Sequence, residues 1–279
     1  MNKTFSKSAV TLILGLASAF GAHAADTWTY TGTSSGAGND TASSGATSLT
    51  TTGAYIANGS GNSGTSGNWI VNNTPDKVTG YSSQLQFYGG GGLGMDSDGT
   101  QIPNHALDNA GNTEAVLLNF GTSTMLTGID IGYNNGGDAD ISVFRYTGTG
   151  APTMNGTGGS LAAMNSAGWS LVGNYANLTA DNSDPLTYNL VNGATNSGSP
   201  TAGGSSVGSS WWLITAYNSA YGTGTNLNQG DDYFKLLAVA GTACTGSRDC
   251  GGKKVPEPGS LALASLAMMG VFFSRRKRS

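Results

Sequence analysis

Four short Asp/Asn clusters are the part of this sequence best suited to chemistry. Asp96-Ser97-Asp98-Gly99 has the alternating carboxylates and following glycine that calcium loops use. Asp108-Asn109, Asp138-Ala139-Asp140 and Asp231-Asp232 add oxygen donors at the edges of strands or in turns. Calcium is a hard cation that takes about six to eight oxygens from carboxylates, carbonyls and water. Asp96, Asp98 and Asp108 are therefore the expected ligands if a metal is held. The competing explanation is plain: Asp and Asn favour turns for backbone reasons alone. The Asp-Ser-Asp-Gly segment also lacks the remaining ligands of an EF-hand. The sequence requires no cofactor, and calcium is the one it admits.

Other chemistries find fewer materials. Of the two histidines, His23 falls in an N-terminal segment read below as removable, leaving His105. A Ser-His-Asp triad could draw on His105 and Asp108, but no serine sits in the G-x-S-x-G turn that exposes a nucleophile. His105 is expected to order a loop by hydrogen bonding. Glycoside hydrolysis needs two carboxylates at a set separation; Glu114 is the sole glutamate before Glu257, it opens a strand, and no pair stands out. Gly89 to Gly94 lacks the Lys-Ser/Thr ending of a phosphate loop and reads as a compact turn. The expectation is a protein that is not an enzyme. Aromatic faces stack on sugars, which brings Trp211-Trp212 forward: adjacent strand residues face opposite sides, so one ring should enter the core and the other lie on the outer face.

These residues must be positioned by strands. Glycine supplies 45 of 279 residues and charged residues only 10%, a composition poor in helix formers. Aromatic residues at 9% still provide a core. Period-2 alternation or buried apolar runs predict strands at 82–88, 114–120, 126–133, 138–146, 169–175, 186–190, 211–217 and 233–240. An Asn-Asn-Gly-Gly turn between the third and fourth suits a hairpin. No fixed-period repeat is present. The expected fold is all-β, an antiparallel β-sandwich of jelly-roll type over residues 25–241, with helices only in an N-terminal signal (1–24) and a C-terminal hydrophobic stretch.

Charge and cysteines narrow the partners. Residues 25–254 hold fifteen acidic and six basic side chains, a net of −9. Such a surface cannot neutralise phosphates, so nucleic acid is excluded as a partner. Cys244 and Cys250 are the only cysteines. In an oxidising exported setting they are expected to close a small disulfide loop within a linker at 242–254.

Both termini read as addresses. Lys3 and Lys7, the apolar run Ala9–Phe20 and Ala22-His23-Ala24 form a cleavable export signal, with cleavage expected after Ala24. At the other end, Val255-Pro256-Glu257-Pro258-Gly259 precedes a hydrophobic stretch of thirteen residues, Leu261 to Phe273, and a basic stop of Arg275, Arg276, Lys277 and Arg278. The run is shorter than the roughly 20 residues that span a bilayer comfortably, while the basic cluster marks a cytoplasmic flank. Together these residues (255–279) resemble the PEP-CTERM sorting signal of Gram-negative bacteria. That resemblance implies a transient inner-membrane anchor, recognition by an exosortase-type protease that cuts near Pro256–Pro258, and an exopolysaccharide or biofilm setting.

A second likeness covers most of residues 80–258. The segments Tyr88–Gly94, Pro103–Asn109, Gly168–Tyr175, Trp212–Asn218 and Asp232–Gly241 resemble proteins known as exosortase-dependent surface proteins. It implies no activity or site residue. The expectation is an exported cell-surface or matrix protein, structural or adhesive, with a calcium-assisted carbohydrate-binding module as the alternative and a secreted polysaccharide-acting enzyme ranked behind it.

Overall fold

The computed structural model describes residues 26–30, 41–44, 47–56, 67–72, 85–88, 91–98, 105–134, 138–180, 186–190 and 207–244. The export signal, Cys250, the sorting motif 255–259, the Leu261–Phe273 run and the basic stop lie outside them. Among the described residues no helix is long and apolar enough to cross a membrane.

The described chain is almost wholly antiparallel strand. In order it forms β1 (Asp26–Thr29), β2 (Thr41–Ser44), β3 (Thr47–Ile56), β4 (Trp69–Asn72), β5 (Gln86–Tyr88), β6 (Gly92–Gly94) and β7 (Leu107–Asp108). Then come β8 (Thr113–Tyr133), β9 (Ile141–Tyr146), α1 (Leu161–Ser166), β10 (Trp169–Tyr175), β11 (Leu186–Asn189), β12 (Ser209–Ala216) and β13 (Tyr233–Ala243). The all-β expectation holds.

The 21-residue β8 organises everything else. Its first part, Thr113 to Asn119, pairs with β3 on one side, and Ala115 to Asn119 with β12 on the other. Its last part, Thr124 to Tyr133, pairs with β13, and Gly128 to Ile131 with β11. Between them the chain turns at Gly121, whose φ of +67° is left-handed, a conformation that glycine adopts without strain. On β12 the partner shifts from Thr124 at Ser209 to Asn119 at Trp211, so five residues of β8 are passed for two of β12. The Trp212 indole N–H fixes this turn by donating to the carbonyls of Thr124 and Ser209, each at 3.0 Å.

One arm therefore runs β4-β3-β8-β12-β9-β10; the other runs β11-β8-β13, with β1, β6 and β7 sharing the far edge of β13. Both arms feed one core: Val116, Leu118, Phe120 and Trp212 from the first, Leu126, Ile129, Ile131 and Leu236 from the second. The first arm is buried on its other face too, where Leu117, Phe144, Leu213 and Trp169 pack under Met154 and Met164. Burial on both faces explains why Ala115 to Leu118 is continuously apolar instead of alternating. Met164 comes from α1, which starts at Ser160, whose Oγ accepts the Ala163 N–H at 3.2 Å.

Two expectations were decided here. The predicted hairpin between 126–133 and 138–146 does not form: β9 pairs with β10 and β12, and β12 stands between it and β8. The second arm of β8 already has β13 and β11 on its edges, so β9 joins the other arm. For Trp211-Trp212 the alternation holds: Trp212 is fully buried, and Trp211 is half-buried against the outer face of the first arm.

The core tryptophan yields a direct test. Trp212→Ala should cost about 3–5 kcal/mol, the range for a large buried aromatic, read from the urea midpoint of unfolding. Trp211→Ala should cost clearly less; equal losses would contradict the assignment of the two faces.

Candidate functional site: the acidic pole

Both ends of β8 come to one end of the molecule, and β7 shows it. The Asp108 N–H donates to Glu114 Oε2 at 3.2 Å, and Asp108 pairs with Tyr233, two residues from the Lys235 that pairs with Tyr133. Seven of the described acidic residues gather around this short strand, in two groups on either side of Asn109.

The first group is Asp96, Asp98, Asp108 and Glu114. Glu114 is 2% exposed and acts as a clamp: Oε1 accepts the Ser97 N–H at 2.6 Å while Oε2 takes that of Asp108. Asp98, exposed, accepts the Asn112 N–H at 3.1 Å. Asp108 Oδ1 accepts the Ala110 N–H at 3.0 Å, an Asx turn. Asp96 is buried, with Oδ2 3.6 Å from His105 Nδ1. His105 has φ +56° and stacks on Tyr88, ring centroids 4.9 Å apart and nearly parallel. Beyond Tyr88, Lys235 Nζ lies 4.8 Å from that ring and 4.4 Å from the ring of Tyr133. His105 thus orders its loop by stacking and by facing Asp96.

The second group is Asp138, Asp140 and Asp232, each able to offer a carboxylate oxygen within 4.8 Å of the others. Asp140 accepts the N–H groups of Asn177 at 2.8 Å and Asn228 at 2.9 Å. Asp232 accepts the Asp140 N–H at 2.7 Å and the Asn109 amide at 2.5 Å. Asn109 is the hub. Its Nδ2 also donates to the Tyr217 carbonyl, and its Oδ1 accepts the N–H groups of Gly230 and Asp232. An all-oxygen set of this kind suits a hard cation such as calcium.

The structure therefore places Asp96, Asp98 and Asp108 around Glu114, while the three-carboxylate group that could hold an ion is built from the other two Asp clusters. Glu114 and Asn109 are the residues that sequence reasoning passed over. The first looked like a strand opener and the second like a turn former; only the pairing of β7 with β13 reveals their reach.

Packing carboxylates out of water raises their affinity for protons. Burial, with smaller contributions from Asp98 and Asp96, lifts Asp108 to about 7 against the backbone N–H groups that favour its charged form. Glu114 is raised well above its ordinary value by burial and by Asp108. Burial and then Asp140 push Asp232 to about 8; Asp140 itself rises to about 6, again chiefly by burial. Lys235 is lowered to about 8 by burial.

Stability should follow these carboxyls with a defined sign. From pH 4 to about 8 the folded chain keeps protons on Asp108 and Asp232 that the unfolded chain has released, so their contribution is full below pH 4 and lost as pH rises through 7 and 8. The melting temperature should fall between pH 5 and pH 8.5, and Asp232→Asn should flatten the upper part of that fall. A melting temperature that rises across the interval would contradict the reading.

Known proteins bear on the other end of the chain. The family model of the PEP-CTERM protein-sorting motif matches residues 254–278, beginning ten residues after Cys244, which follows β13. No curated protein is significantly similar to the chain. Residues 254–278 thus carry the PEP-CTERM sorting motif, which supports an exported protein sorted by an exosortase.

Proposed function

We propose that the chain is delivered through the Sec pathway by residues 1–24 and held briefly in the inner membrane by residues 255–279. An exosortase then cuts near Pro256-Glu257-Pro258 and leaves the β domain at the cell surface or in an extracellular matrix. There it serves as a structural or adhesive component in an exopolysaccharide setting. On this reading the arms of the sheet close as a jelly-roll-like sandwich, and a Cys244–Cys250 loop staples the linker. The observation that carries the proposal is the sorting-motif match at 254–278, set one short linker beyond the last strand. In the native host, the combined substitutions Pro256→Ala, Glu257→Ala and Pro258→Ala should leave a longer, uncut chain in the membrane fraction and deplete the surface fraction. An unchanged mature product would sink the proposal.

A second reading, a calcium-assisted carbohydrate-binding module, is favoured by the convergence of Asp138, Asp140 and Asp232. At pH 8, where Asp232 is giving up its proton, calcium should raise the melting temperature, a chelator should reverse this, and Asp140→Asn should abolish the response. A melting temperature indifferent to calcium removes this reading and leaves the first intact.

A further inference from the structure

The direction in which the strands run assigns the two poles of the molecule different neighbours. β13 begins at Tyr233, beside Asp232 and Asp108, and ends ten residues later at Ala243, opposite Thr124 in the β8 turn. The Cys244 N–H donates to the Ser123 carbonyl at 2.8 Å, so the chain leaves the domain at the turn. β1 lies antiparallel to β13, with Asp26 opposite Gly241. The first described residue is thus at that pole too. Everything that tethers the domain departs from the turn pole, and the clustered carboxylates sit at the other.

We infer that the turn pole, formed by residues 121–124 and the exposed loop 147–150, faces the bilayer in the anchored precursor, and that the acidic pole is its outward face. Ten strand steps of β13 separate the poles by roughly 33 Å. The ten residues 245–254 reach at most about 33–36 Å when fully extended. Only a tether drawn taut along the whole domain would bring the acidic pole to the membrane. Charge acts the same way. Asp98 and Asp231 are exposed at the acidic pole, where anionic headgroups repel them. At the turn pole Arg145, one residue from Tyr146, offsets Asp26, and Lys253-Lys254 end the tether.

The inference rests on residues 255–278 acting as an anchor, and one experiment separates the two ideas. The uncut full-length chain is reconstituted in vesicles of phosphatidylcholine and phosphatidylglycerol with a nitroxide quencher on the headgroups. In a Cys244→Ser, Cys250→Ser background, single fluorophores are attached at Thr122→Cys or Thr149→Cys on the turn pole, and at Thr223→Cys or Thr225→Cys on the acidic pole. Two sites per pole, each required to melt with the parent, guard against a misfolded variant. The turn-pole labels should lose intensity in quencher vesicles while the acidic-pole labels do not. Equal quenching at both poles, or stronger quenching at Thr223→Cys and Thr225→Cys, overturns the inference. A chain that fails to float with the vesicles overturns the anchor, and with it this orientation.

Discussion

The fold depends on one strand belonging to two arms. β8 runs past β3 and β12, turns at Gly121 and returns beside β13 and β11. The turn costs little because glycine tolerates φ +67° and because the Trp212 indole N–H ties the Thr124 carbonyl just past it to the Ser209 carbonyl of β12. From this follow the shared core, the burial of the first arm on both faces, and the gathering of β7, both ends of β8 and the start of β13 at one end. A side chain at the turn that forced negative φ would disturb both arms at once, since among the described residues no other strand is built into both over such length.

The acidic pole is the consequence. Where many strands end together, their connecting loops carry backbone N–H groups with no ladder to join, and buried polar groups must be paired. Glu114, Asp140, Asp232 and Asn109 supply that pairing: each carboxylate accepts from two donors on separate segments, and Asn109 accepts from the N–H groups of Gly230 and Asp232. The clustering that makes them good loop staples also makes them costly as anions, so burial raises their proton affinity. In Asp140 and Asp232 the carboxylates that staple loops are also members of the group that could hold a metal ion. The described basic groups near them, Lys235 and His105, are absorbed by the rings of Tyr88 and Tyr133 and by Asp96.

The sequence exposed the strands more readily than their partners. Trp169–Tyr175 and Leu186–Asn189 were legible almost to the residue, because alternation and flanking turns are local signals. The two runs read as separate strands at 114–120 and 126–133 are the arms of β8. Pairing is not local, and the Asn-Asn-Gly-Gly turn misled for that reason: it joins strands of different arms. The six-residue α1 was missed although Ser160 and Leu161-Ala162-Ala163-Met164 carry a cap and good helix formers. At the candidate site, Asp-rich turns could be read from composition, while the convergence of residues 138, 140 and 232 could not. That convergence needs the bridge between Asp138 and Asp232.

The sorting motif carries the plainest functional statement, and the last described strand ends at the turn pole, with the ten residues 244–253 between it and that motif. The most direct measurement is the intact mass of the protein purified from its native envelope. The account predicts a chain that starts at Ala25, ends close to Pro256–Pro258 and lacks the basic tail Arg275–Arg278. A mature protein that keeps the apolar run and that tail would contradict it.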